Sequence, residues 1–192
     1  FLLSDFIPSE ASYSRMVNVI SDSDAFVQMN DQVIQAAFTE GFLNDAHLTE
    51  DATHFEARDA AKPTEKKEKI PKKRGRKSKA EREAWLLEQA EIEANQSTYE
   101  KKIETQLAVP TATLLQDMPI EPQWGVKKNS DGKNTFWFGY KAHLSVSTKS
   151  QYVVAGIMSS GNLSDSKAAI PLLKKVADVL PNQFTTVILD KG

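Results

Sequence analysis

Between Phe136 and Val146 the chain alternates. Phe136, Phe138, Tyr140, Ala142, Leu144 and Val146 interleave with Trp137, Gly139, Lys141, His143 and Ser145. A period of two over these eleven residues fits a β-strand with two unlike faces and does not fit a helix. The chain is thereby committed to a sheet, and its neighbours are read as what pairs with this strand or covers it. Ser147 to Gln151 reads as a turn, and Tyr152 to Met158 as a second, more buried strand. Gly161 to Asp165 is a loop carrying a helix cap, after which Ala169, Leu172, Leu173, Val176 and Leu180 form a helical stripe. Pro171 suits a first turn better than a helix interior, so the regular helix is expected from near Ile170. A last apolar run, Val187 to Leu189, lies between the turn signals Pro181-Asn182 and Lys191-Gly192, and reads as a buried strand ending in Asp190. Ligands bind at strand ends in open α/β sheets, which makes Asp190 a candidate site residue.

Upstream, residues 1–44 read as helical. Ser9 after Pro8 is an N-cap, and Tyr13, Met16, Val17 and Ile20 follow at helical spacing. Ser21-Asp22-Ser23-Asp24 breaks that helix and caps a second, which carries Phe26, Val27, Met29, Val33, Ile34, Ala37 and Phe38 and stops at Gly41. From Ala46 to Arg58 the pattern reads as a strand holding Asp51, whose simplest role would be an exposed carboxylate. Between Lys62 and Arg82 stand eleven Lys/Arg against three Glu, although the whole chain has a net charge of −2. Such segregation suits either a polyanion partner or a solvated linker. Its centre, with Lys72, Lys73, Arg74, Gly75, Arg76 and Lys77, has the Arg-Gly-Arg core of an AT-hook but lacks the second Pro of a full hook. Ala80 to Leu107 reads as one long helix laid over another part of the protein, and Val109 to Gln123 as loop. The absence of cysteine excludes a disulfide framework and any thiolate metal site. No apolar run approaches the ~20 residues of a membrane-spanning helix.

With the basic and helical excursion set aside, the order is β-β-β-α-β, the opening half of an RNase H-like fold. There the first and fourth strands are neighbours, which would bring Asp51 and Asp190 together. Two carboxylates placed so repel each other unless a cation lies between them, and Mg²⁺ or Mn²⁺ prefers oxygen ligands. The expected class is therefore α+β or α/β: a helical N-terminal domain (1–44), the first core strand (45–59), a basic linker and helix insertion (60–134), and the rest of a partial RNase H-like core (135–192).

Several segments, in order, resemble the bacterial insertion-sequence transposases with a DDE catalytic triad. Pro8 to Arg15 resembles their helical N-terminal domain. Glu50-Asp51-Ala52-Thr53-His54-Phe55-Glu56-Ala57 is similar to the segment around the first catalytic Asp, where Asp-x-Thr precedes Glu-Ala. Gln123 to Lys128 resembles the lead into the core, Phe138 to Leu144 its second strand, and Asn162 to Ser166 its Asn-x-x-Asp-Ser turn. Ile188-Leu189-Asp190-Lys191-Gly192 is similar to the second catalytic Asp motif, which normally continues into a Tyr.

The resemblance implies that Asp51 and Asp190 are catalytic metal ligands for Mg²⁺ or Mn²⁺, and that the protein cuts double-stranded transposon ends and joins them to target DNA. It also implies a homodimer in the complete protein, a cytoplasmic, nucleoid-associated location and no membrane. Lys72, Lys73, Arg74, Arg76, Lys77, Lys141 and His143 are candidate DNA contacts. The third acidic residue, a Glu in this family, is expected beyond Gly192. Phe1 rather than Met opens the sequence, and it stops two residues after Asp190, so an inactive fragment of a longer protein is expected. The rival readings are a non-catalytic DNA-binding remnant, another RNase H-like nuclease or Holliday-junction enzyme, and a helical interaction protein.

Overall fold

The computed structural model describes residues 9–58, 61, 75, 78–129 and 131–189. Lys72, Lys73, Arg74, Arg76, Lys77 and Asp190 lie outside the described residues.

The alternating stretch forms the longest strand. β3 (Asn134–Ser147) runs through the sheet and pairs along both edges. On one edge lies β1 (His47–Glu56), antiparallel, with Asp51 opposite Leu144 and Ala52 opposite His143. The other edge is shared. β2 (Gln123–Lys128) takes the first half of β3 and β4 (Val153–Ser160) the second, both antiparallel. β5 (Thr186–Leu189) pairs with the free edge of β1 in parallel. The lateral order β4-β3-β1-β5 is the one that the β-β-β-α-β reading requires.

The connection from β4 to β5 is α5 (Asp165–Val179), as a crossover between parallel strands demands. Ala168, Leu172, Val176 and Val179 recur every three or four residues and are buried, so this stripe seals one face of the sheet. They meet Leu48 of β1 and Val154, Ala155 and Ile157 of β4. Burial of a side chain such as Leu172 stabilises the fold by roughly 2 kcal/mol. α1 (Glu10–Ser21) is capped by the Ser9 hydroxyl, which accepts from the Ser12 N–H at 3.2 Å. α2 (Ala25–Thr39) sends Ile34 and Ala37 into the same core, and Gly41 at φ +80° turns the chain out of it.

Five sequence expectations need correction. The helix expected over Ala80 to Leu107 is α3 (Lys79–Asn95), and no residue of it is buried. It ends where Gln96 turns extended and Ser97 starts a new turn, its N–H held by the Glu100 carboxylate at 2.8 Å. Ile103–Ala108 is then a separate 3-10 turn. The loop expected after Val109 contains α4 (Thr111–Gln116). β2, within the expected insertion, is itself a strand, specified by its pairing with β3 and not by its own sequence pattern. α5 begins at Asp165, behind Ser164, and passes through Pro171. The proline ring is fully buried in the core, and the Lys167 carbonyl forgoes the helical hydrogen bond that Pro171 cannot donate. Finally β5 is exposed, with Ile188 and Leu189 half accessible, because among the described residues nothing covers the sheet beyond β1.

Candidate functional site

A cleft of about 620 Å³ opens between the middle of β1, the middle of β3 and the first turns of α5. Successive strand residues face opposite sides of a sheet, so Glu50 and Ala52 point toward α5 with their partners Ser145 and His143. Asp51 points the other way, with Thr49, Thr53 and Leu144 around it, and its edge still borders the cleft. Its carboxylate is exposed, and Oδ1 accepts the Ala52 N–H at 2.7 Å. Asp51 thus stands at mid-strand with solvent access.

The α5 side of the cleft is a polar chain built into a buried setting. Lys141 Nζ donates to Asp165 Oδ1 at 2.9 Å and to the Leu163 carbonyl at 3.0 Å. His143 is 3% exposed; its Nε2 and Ser159 Oγ share a bond of 2.8 Å, and Nδ1 lies 3.7 Å from Asp165 Oδ1. Ser159 Oγ also donates to the Ser160 carbonyl at 3.2 Å, so the bond to the imidazole is assigned with Nε2–H as donor. Burial pushes the His143 pKa down; Asp165 opposes this and Lys141 adds to it. The ring is therefore neutral near pH 7, with an unprotonated Nδ1 toward the cleft. Neither Lys141 nor His143 is a free surface cation, because each is already engaged by Asp165 or Ser159.

Glu50 is the residue that sequence reading passed over. It is 6% exposed, Ser145 Oγ donates to Oε1 at 3.4 Å, and Oε2 has no partner among the described residues. Burial raises its pKa to about 7, with the Ser145 bond acting in the opposite direction. The signal was available. In a strand of period two, Leu48, Glu50 and Ala52 share a face, and Leu48 assigns that face to the core.

The pairing of β1 with β5 sets the remaining geometry. His47, Leu48, Thr49 and Glu50 lie opposite Thr186, Val187, Ile188 and Leu189. The residue that follows Glu50 in the sequence is Asp51, and the one that follows Leu189 is Asp190. Among the described residues no three His, Asp or Glu side chains are grouped as a metal site. His54, exposed on β1, stacks on Trp137 at 4.7 Å between ring centroids.

Comparison with curated proteins and with solved structures gave no match. A family model does match: residues 44–192 fit the transposase DDE domain, a span that begins just before β1 and takes in every strand of the sheet. The chain belongs to the transposase DDE domain family.

Proposed function

We propose that the chain takes part in DNA transposition by metal-dependent cleavage of a DNA strand and its transfer to a target, with Asp51 and Asp190 as metal ligands. One observation carries the reading. The parallel ladder of β1 and β5 ends at Glu50 and Leu189, and each strand's next residue is an aspartate.

The donor chemistry fits a hard cation. Asp51 offers an exposed carboxylate with one oxygen oriented by a backbone N–H, and oxygen donors suit Mg²⁺ or Mn²⁺. When bound, such an ion supplies an activated water and stabilises the leaving oxygen of a phosphodiester. The chain's own part is to pair β1 with β5 by a hydrogen-bonded ladder up to Glu50 and Leu189, the residues that precede Asp51 and Asp190 in the sequence. Lys141 lines the cleft as an ion pair with Asp165, its side chain 16% exposed. Double-stranded DNA is the substrate in this reading.

Mn²⁺ titration of the chain, followed by paramagnetic resonance, tests the assignment. Asp51→Asn and Asp190→Asn are each expected to weaken binding about tenfold or more, in line with the loss of a direct ligand charge, while duplex affinity in metal-free buffer is unchanged. Undiminished Mn²⁺ binding in either variant removes that residue from the site.

A further inference from the structure

The sheet face turned away from α5 carries an exposed aromatic surface. Tyr140 lies opposite Phe55, Phe138 opposite Trp124, and Phe136 opposite Val126, so all six side chains belong to one face of β1, β3 and β2. Phe136 is 62% exposed, Trp124 57% and Phe55 50%. The rings of Trp124 and Phe138 are 5.6 Å apart and tilted by 53°. Aromatic side chains of this size are normally buried, and their large surface is favourable only once it is covered.

We propose that this face is a stacking platform for unpaired DNA bases beside the strand that carries Asp51. The proposal rests on the reading of the chain as a DNA transposase, and three observations on this face favour a nucleic acid over a protein partner. Around Trp124 the surface is built mainly of rings with Val126 beside them, toward Asp51 it continues as Thr53, Ala142 and Leu144, and every base offers a flat π-face to a ring. Its charges suit a polyanion. Lys128 follows Trp124 and Val126 on the same face of β2, Lys127 points to the opposite face, and Lys133 ends the hairpin turn that also carries Asp131. None of these three lysines is in an ion pair among the described residues. The nearest acidic strand residue on the face is Asp51 itself, four residues before Phe55 on the same side of β1. At ~3.3 Å per residue this is about 13 Å, the reach of two to three nucleotides. A strand whose phosphate lies at Asp51 can therefore lay its unpaired neighbours along Phe55, Tyr140, Phe138 and Trp124.

The test uses the whole chain with two probes, an oligothymidylate about ten nucleotides long and a blunt duplex of the same length, each titrated over a salt series. Trp124→Ala and Phe136→Ala alter half-exposed side chains outside the core cluster, and circular dichroism checks that the fold persists. Each is expected to lower oligothymidylate affinity about tenfold with the salt slope unchanged, and to leave duplex affinity as it was. Unchanged oligothymidylate affinity in both variants overturns the proposal. So does an equal loss for both probes, or a self-association that the variants abolish while oligothymidylate affinity stays the same. Duplex binding and Asp51-dependent Mn²⁺ binding without any dependence on Trp124 or Phe136 would sink the platform alone. Their absence would instead sink the transposase reading beneath it.

Discussion

Asp45, just before β1, shows how much one side chain can fix. Ser147 Oγ donates to its Oδ1 at 2.5 Å and Ser150 Oγ at 3.1 Å, while the Lys149 N–H reaches Oδ2 at 2.8 Å. One carboxylate thereby ties the entry of β1 to the turn joining β3 and β4. Burial by itself would raise the pKa of Asp45, but these hydrogen bonds together outweigh it and hold the pKa at about 2, below the ordinary 3.8. The folded state therefore holds its proton less tightly than the unfolded chain. The resulting stability is complete above about pH 4 and is lost as the pH falls through about 2. Its size is about 2 kcal/mol. Urea unfolding of Asp45→Asn is expected to show that loss at pH 7 and a flatter acid limb; an unchanged limb would detach Asp45 from acid stability. Sequence reading gives Asp45 no role beyond opening the first core strand segment (45–59), since nothing local distinguishes an Asp that caps a distant turn. The place of Asp51 in a strand was legible from the pattern around it.

At the scale of elements, what the sequence specified well was periodic and what it specified poorly was held by distant partners. β3 and the stripe of α5 repeat at their own spacings, so both elements are legible; the burial of α5 follows from its stripe, whereas β3 buries Trp137, His143 and Ser145 and leaves Phe136 exposed and Phe138 and Tyr140 half-buried. The segment after α3 has no such repeat. It is held by lysines of α5: Lys167 Nζ donates to the Tyr99 carbonyl, and Lys174 Nζ to the carbonyls of Leu107 at 3.0 Å and Val109 at 2.5 Å. Tyr99 adds a bond from its hydroxyl to the Leu114 carbonyl at 2.7 Å, and burial raises its pKa to about 12, with Asp117 adding to the shift. The 3-10 turn so fastened places Ile103 on the wall of the cleft. Lys174→Ala removes two carbonyl partners and is expected to cost about 1 kcal/mol. Hydrogen exchange is the sharper readout. Amides of residues 103–109 should exchange faster in the variant while those of β1 and β3 do not change. Equal acceleration in the strands would mean that Lys174 supports the whole fold and not this segment.

For the whole molecule, the sheet and the charge pattern divide two tasks. The order β4-β3-β1-β5 puts the two strands that lead into aspartates side by side, although they are far apart in the sequence. That adjacency was legible because few topologies accept β-β-β-α-β with one crossover helix. β2 was not, because a short strand defined by its partner has no pattern of its own, and it carries Trp124 and Val126 of the exposed face. The cations of the folded core are largely spoken for: Lys141, Lys167, Lys174 and Lys175 each bond a carbonyl. The run between Lys62 and Arg82, where eleven Lys/Arg stand in a chain of net charge −2, is the proposed source of unspecific attraction for a DNA backbone. Replacement of Lys72, Lys73, Arg74, Arg76 and Lys77 by Gln leaves Ser78 to cap α3, whose capping box with Glu81 is intact. Each phosphate that the protein ceases to neutralise flattens the dependence of log affinity on log salt by about 0.9. The five-fold variant is expected to lose several such increments on duplex DNA, with Mn²⁺ binding unchanged. An unaltered slope would make the run a linker between β1 and α3, and would leave Lys127, Lys128 and Lys133 on the β2–β3 hairpin as the cations that meet the duplex.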